Sequence, residues 1–205
     1  MEGYRFRVLV RPQAVDRSYG EFRPGVHHGR IMPGDWDLAT YPVTGNPLVR
    51  MAFAHWRDGV SWEETGIVEH QMARIQAHGS LYADGLRVRD DVLRRYERLD
   101  ELFEITRRTG EFPPEANAMD GIYMHLDRDG MAVFGQRGVH RFVIASVLGL
   151  EQVVAQLGVV HPLAPQAPGF RWRPRRPLTA LLAPEPRPPA RLAALQSLLQ
   201  RRRQS

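Results

Sequence analysis

Nine of the sixteen prolines in this 205-residue chain fall between Pro162 and Pro189. A stretch that meets a proline at about every third position lacks the amide donors a sheet needs and cannot continue a helix. It reads as an extended linker or a strap lying on a surface. The foldable part is thereby confined to residues 1–161, one domain of ordinary size with a single core. Past the linker, residues 190–205 place Leu192, Leu195, Leu198 and Leu199 on one face, with Arg191 and Arg201 to Arg203 at the ends. This pattern predicts a short basic amphipathic helix.

Two missing residue types narrow the chemistry. The chain has no cysteine, and all 28 of its basic residues are arginine. A disulfide framework, a thiol nucleophile and a Cys-ligated zinc are excluded, as are a Schiff-base lysine and the lysine of a Walker A loop. Any cation that touches a phosphate is therefore a guanidinium or a protonated histidine. The net charge of +5 suggests a polyanion partner until it is divided along the chain. Residues 171–205 hold nine Arg against one acid, Glu185, for a net of +8. Residues 1–170 hold 19 Arg against 22 acids, for a net of −3, so nucleic acid is not the expected partner of the folded part. The tail string Arg171-Trp172-Arg173-Pro174-Arg175-Arg176 fits a polyanion contact with Trp172 stacking, or a solubilising linker; the terminal Leu face fits a protein partner. No basic start leads into an apolar stretch, and the longest apolar run, Phe142 to Leu150, is too short to span a bilayer. The expectation is a cytoplasmic protein without a transmembrane segment.

Periodicity then orders the elements. Tyr4 to Val10 alternates basic and apolar residues and predicts a first strand, followed by a Gly-rich, His-bearing loop to Gly34. Three helices are predicted next: Pro47 to Trp56; Ser61 to about Ala77, opened by a Ser61/Glu64 cap; and one from Asp90 or Asp91 to Gly110. The last carries Leu93, Tyr96, Leu99, Leu102, Phe103 and Ile105 on its apolar face. Gly121 to Leu126 and Met131 to Phe134 flank Asp127-Arg128-Asp129-Gly130 and read as a hairpin. A Gly loop, a helix from Val139 to Leu148 and a strand over Val153 to Val160 complete the domain.

Two constellations carry chemistry. The first is Gly135-Gln136-Arg137-Gly138-Val139-His140-Arg141, a glycine loop that opens directly into a helix. Free N–H groups and the positive dipole end at such a start favour an anion. Arginine in the first turn opposes the dipole by roughly 0.3 to 1 kcal/mol, so Arg141 calls for an anionic partner: a bound phosphate, or a nearby carboxylate such as Asp127 or Asp129. The second is Asp35-Trp36-Asp37. Two carboxylates two residues apart in a Gly loop can hold Mg²⁺ or orient a hydroxyl, or they can cap a turn while Trp36 fills a core edge or stacks on a base. The eight histidines show no His-x-x-x-His spacing and do not predict a transition-metal site. Ser146 lacks a nucleophile elbow and reads as a core hydroxyl.

The string Phe134 to Arg141, continued by Ala145, Leu148-Gly149 and the strand from Val153, resembles the signature segment of the ParB/sulfiredoxin superfamily over about residues 120–161. Gly34-Asp35-Trp36-Asp37 and Trp62-Glu63-Glu64-Thr65 also resemble a ParB-like prokaryotic subgroup with a helical insertion. The resemblance implies an α+β fold: a small mixed β-sheet of ParB/sulfiredoxin type with a helical insertion at about 45–110 and a Pro/Arg-rich C-terminal extension. It implies a nucleotide, ATP or CTP with Mg²⁺, held by Gln136, Arg137, Gly138, His140, Arg141 and Trp36. Asp35 and Asp37 would then hold the metal or act as catalytic groups in phosphoryl transfer to a small molecule. Two departures limit the transfer of function. Val139 stands where sulfiredoxins carry their reactive cysteine, which excludes sulfinic-acid reduction. The Pro-rich segment also replaces the DNA-reading region of partitioning proteins. The alternatives are a non-catalytic protein gated by a nucleotide or anion, and, third, a ParB-like nuclease or DNA-binding protein.

Overall fold

A computed structural model describes residues 7–81, 85–113 and 121–164. The chain divides into two units, Met1–Arg175 and Arg176–Ser205. The second unit lies outside the described residues, as do the helix expected at 190–205 and all but residues 162–164 of the linker expected at 162–189.

The elements are β1 (Arg7–Val10), β2 (Arg17–Ser18), β3 (Arg30–Ile31), β4 (Tyr41–Pro42), α1 (Pro47–Trp56), α2 (Ile67–His78), α3 (Arg89–Thr109), β5 (Ile122–Leu126), β6 (Ala132–Phe134), α4 (Val139–Val147) and β7 (Val153–Val160). The strands form one mixed sheet in the order β1-β7-β5-β6-β2-β4. The edge of β7 away from β5 is shared by antiparallel β1 along its first half and parallel β3 at its end. The fold is therefore α+β with an open mixed sheet. Among the described residues no helix is long and apolar enough to cross a membrane.

Local chemistry accounts for the units nearest the site. Asp127 turns the β5–β6 hairpin by accepting from the amides of Asp129 (3.0 Å) and Met131 (2.7 Å), and Gly130 takes a positive φ of 76°. Strand β5 is buried throughout, and its side chains alternate between two layers. Ile122, Met124 and Leu126 join the core under α4, where Phe134 stacks on Phe142 at 4.6 Å. Tyr123 and His125 face the other side, beneath an irregular cover that brings Phe22, His28 and Trp36 against them. A Cβ on Gly158 would stand 2.3 Å from His125 Nδ1, so glycine in β7 makes room for this layer.

Helices α1 to α3 lie where three helices are predicted, but the second starts later than expected. Ser61 and Glu64 do cap one another, with Glu64 N–H to Ser61 Oγ at 3.3 Å and Ser61 N–H to Glu64 Oε2 at 3.2 Å. They close only a single turn, because Gly66 adopts φ 77° and breaks the run before Ile67. Strands β2, β3 and β4 are two residues each; β2 and β3 fall inside the segment read as loop to Gly34, and β4 lies in the stretch before Pro47, where the sequence predicts no element.

Candidate functional site

Helix α4 follows Gly138, whose φ of 69° is left-handed. A Cβ there would stand 2.8 Å from the backbone of Ile122, so the loop crosses the start of β5 in contact, and Tyr123 N–H donates to the Arg137 carbonyl at 3.2 Å. No side chain caps the helix and no acid occupies its first turn. Arg137 is exposed and Arg141 half-buried on either side of it. Gly138→Ala is therefore expected to lower stability by at least roughly 1–2 kcal/mol, the cost of left-handed backbone for a residue with a Cβ. The clash with Ile122 adds to that cost, and the urea midpoint of the ligand-free protein measures it.

His140, which the resemblance names as a phosphate ligand, is buried. It is 9% exposed and packs edge-on against Tyr96 of α3 (5.4 Å between ring centroids) and Trp56 of α1 (6.2 Å). Among the described residues its Nε2 is buried without a hydrogen-bond partner. Burial first, and then the charges of Arg95 and Arg141, push its pKa down to about 3. The ring is neutral at pH 7 and can give an anion one N–H but no charge. Arg141 and Arg95 act electrostatically on the buried ring, and the exposed Arg137 stands at the loop.

The early acidic turn is organised differently from an open metal loop. Asp37 is 2% exposed, and both its oxygens are taken by Arg128: Oδ2 by the backbone N–H (3.0 Å) and Nε (2.7 Å), Oδ1 by Nη2 (2.8 Å). The same Nη2 reaches Asp35 Oδ1 at 2.7 Å. The Arg128 hydrogen bonds hold the Asp37 pKa at about 2 against its burial, and the two carboxylates raise that of Arg128. Trp36 is buried, donates through Nε1 to the Met32 carbonyl at 3.0 Å, and lies against Tyr19, Phe22 and His125. It fills a core edge and offers no face to a base. Asp35 and Asp37, read from the sequence as metal ligands or catalytic groups, thus meet on one guanidinium, with Asp35 exposed and Asp37 buried. Among the described residues no group of three or more His, Asp or Glu is placed to hold a metal ion.

The two constellations also stand apart. The Gly138 loop lies on the first residue of β5, whereas Arg128 follows its last residue. Five residues of strand separate them, roughly 17 Å. Gln136 remains near the α4 start in a positive-φ conformation of 60°, its side chain folded over Gly20. Ser146 bonds back to the Phe142 carbonyl at 2.8 Å, as its core reading requires. Sequence reasoning missed Arg95 and Arg128. Arg95 was legible only as the neighbour of Tyr96 on the apolar face of α3, and Arg128 only as a turn residue. No family model, curated protein or solved structure matches the chain.

Proposed function

We propose that this protein is a nucleotide-binding domain of ParB/sulfiredoxin type, in which the start of α4 holds the phosphates of ATP or CTP and the bound state governs docking of a partner. The observation that carries this reading is the buried, unpartnered Nε2 of His140 at an uncapped helix start, with Arg95 and Arg141 acting on the same ring. A neutral imidazole can donate one N–H to an oxygen acceptor, and helix N–H groups add to it. The order β-hairpin, glycine loop, α4 and β7, with β7 parallel to β5, supports the fold assignment.

Phosphoryl transfer by Asp35 and Asp37 lacks support, because their clamp lies at the far end of β5 and Asp37 is fully engaged by Arg128. The carboxylate pair likewise does not fit Mg²⁺, so any divalent ion in this reading arrives as part of the nucleotide complex. The docking alternative is therefore the better reading.

Thermal unfolding with ATP, CTP and their Mg²⁺ complexes tests the proposal. Nucleotide at a hundred times its dissociation constant is expected to add about 2.7 kcal/mol to the native state. Arg141→Gln is expected to abolish the shift, whereas Arg171→Ala leaves it intact. No shift with either nucleotide, or loss of the shift in the Arg171 variant alone, overturns the assignment.

A further inference from the structure

The string Arg171 to Arg176 has no place in the reading of α4, and four exposed apolar side chains have no place in the core. Ile31 (67% exposed), Leu38 (67%), Met131 (51%) and Leu163 (69%) lie on segments that meet at one end of the sheet. Ile31 of β3 pairs with Val160 at the end of β7. His161, the next residue, donates through Nε2 to the Gly34 carbonyl at 3.0 Å and accepts the Leu163 amide on Nδ1 at 3.2 Å, which fixes Leu163 beside the early turn. Arg128 joins that turn, and Leu38 with it, to the hairpin that carries Met131. From β3 across β7 and β5 to β6 is three strand spacings, roughly 14 Å. Single apolar residues on a surface are ordinary, but four at one end of a sheet call for a cover. The same end is acidic: residues 30–38, 126–131 and 160–164 carry four acids against two arginines, a net of −2, and Arg17 from β2 offsets only Asp127. Asp35 is 79% exposed at its side chain, and Asp129 is exposed. The described chain ends here, at Ala164, one residue past Leu163. The eleven residues that follow, 165–175, hold Phe170, Trp172 and three arginines, and no acid.

We propose that this end of the sheet is the docking surface for residues 165–175 of the same chain, with Phe170 and Trp172 on its apolar side chains and Arg171 and Arg173 facing Asp35 and Asp129. At about 3.1 Å per residue of proline-rich chain, the eight residues from Ala164 to Trp172 reach roughly 25 Å, more than the width of the surface. Prolines 165, 168 and 174 restrict the undocked chain, so less entropy is lost on docking, and they leave side chains rather than ladder hydrogen bonds to make the contact. A short tether holds its segment at an effective concentration in the millimolar range, so a contact too weak to retain a separate peptide still closes in cis. The arginine–tryptophan string thereby meets a surface of opposite charge within its own chain, whether or not a ligand occupies the start of α4.

The chain has no cysteine, so one introduced thiol reports its own exposure. The full chain carrying Leu38→Cys is modified with a bulky maleimide at low protein concentration, with and without the pair Phe170→Ser and Trp172→Ser. Removing the two rings is expected to speed modification about fivefold, the change for a site covered about four-fifths of the time. The pair Arg171→Glu and Arg173→Glu should give a similar gain. Val88→Cys, at a position 53% exposed before α3, should react alike in every background. Equal rates at Leu38→Cys with and without the rings overturn the inference. Equal acceleration at Val88→Cys does so too, because it reports loosening of the whole fold rather than uncovering of one end of the sheet. Protection that rises with protein concentration assigns the surface to a second copy of the chain and overturns docking in cis.

Discussion

Acidification from pH 6.5 to pH 4 is expected to destabilise the fold by roughly 3 kcal/mol through His125 alone, at 1.36 kcal/mol per pKa unit. His125 is fully buried, and burial pushes its pKa down from 6.5 to about 4, opposed weakly by the Tyr19 backbone. Its Nδ1 accepts from Val159 N–H at 3.2 Å, an interaction that only the unprotonated nitrogen can make. The unfolded chain binds a proton at this ring near pH 6.5, while the folded chain resists until about pH 4. Stability is therefore complete above 6.5 and declines as the pH falls between those values. His140 acts in the same sense and over a wider window, down to about pH 3. Asp37 enters later, because its stabilising effect is present above its usual value of 3.8 and is lost toward pH 2. The decline between 6.5 and 4 thus belongs to histidine. His125→Asn, which keeps an acceptor for Val159 N–H, combined with His140→Phe, should flatten the dependence of the urea midpoint on pH in that range. A double variant whose midpoint falls in parallel with wild type would assign the acid sensitivity elsewhere.

The second large effect concerns Asp100 of α3. One oxygen accepts from Trp56 Nε1 (2.8 Å) and faces His55 Nε2 (3.0 Å), and the other accepts from Trp62 Nε1 (2.8 Å). The His55 ring stacks on Trp62 at 3.8 Å, and Trp56 lies parallel to Phe103. A single carboxylate therefore pins α1 and the segment after it to α3. Asp100→Ala strands two indole donors, each worth about 1–3 kcal/mol if fully buried. The carboxylate is 38% exposed, so water recovers part of that cost and the expected loss is about 3 kcal/mol. Asp100→Asn retains one acceptor oxygen and should cost about half as much. Urea unfolding followed by indole fluorescence reads both variants, since two of the four tryptophans sit on this group. A loss below about 1 kcal/mol in the alanine variant would mean that the indoles find water instead.

Legibility in the sequence followed the range of the interactions involved. Pro47 at the start of α1, the Asp-Gly turn between β5 and β6, and Gly110 after α3 are local signals, and α1, α3 and the hairpin lie where those signals put them. The α2 boundary failed because a cap at Ser61 announces a turn, while only the backbone at Gly66 decides whether that turn continues. Two-residue strands carry too few residues to show a period. At the site, the missing information was tertiary. Nothing near Asp37 signals a guanidinium from Arg128, and nothing near His140 signals Tyr96. A cue was nonetheless present in α4, where Val139, Phe142, Val143, Ile144 and Ala145 are all apolar and buried. A histidine in the first turn of so apolar a helix sits beside its buried face.

The clamp at Arg128 joins segments 91 positions apart through one side chain. Hairpin tip and early turn consequently behave as one body, and neither can yield to a visitor while the other keeps its shape. Whatever approaches that end of the sheet meets a surface whose two halves were inherited from distant stretches of the chain but answer together.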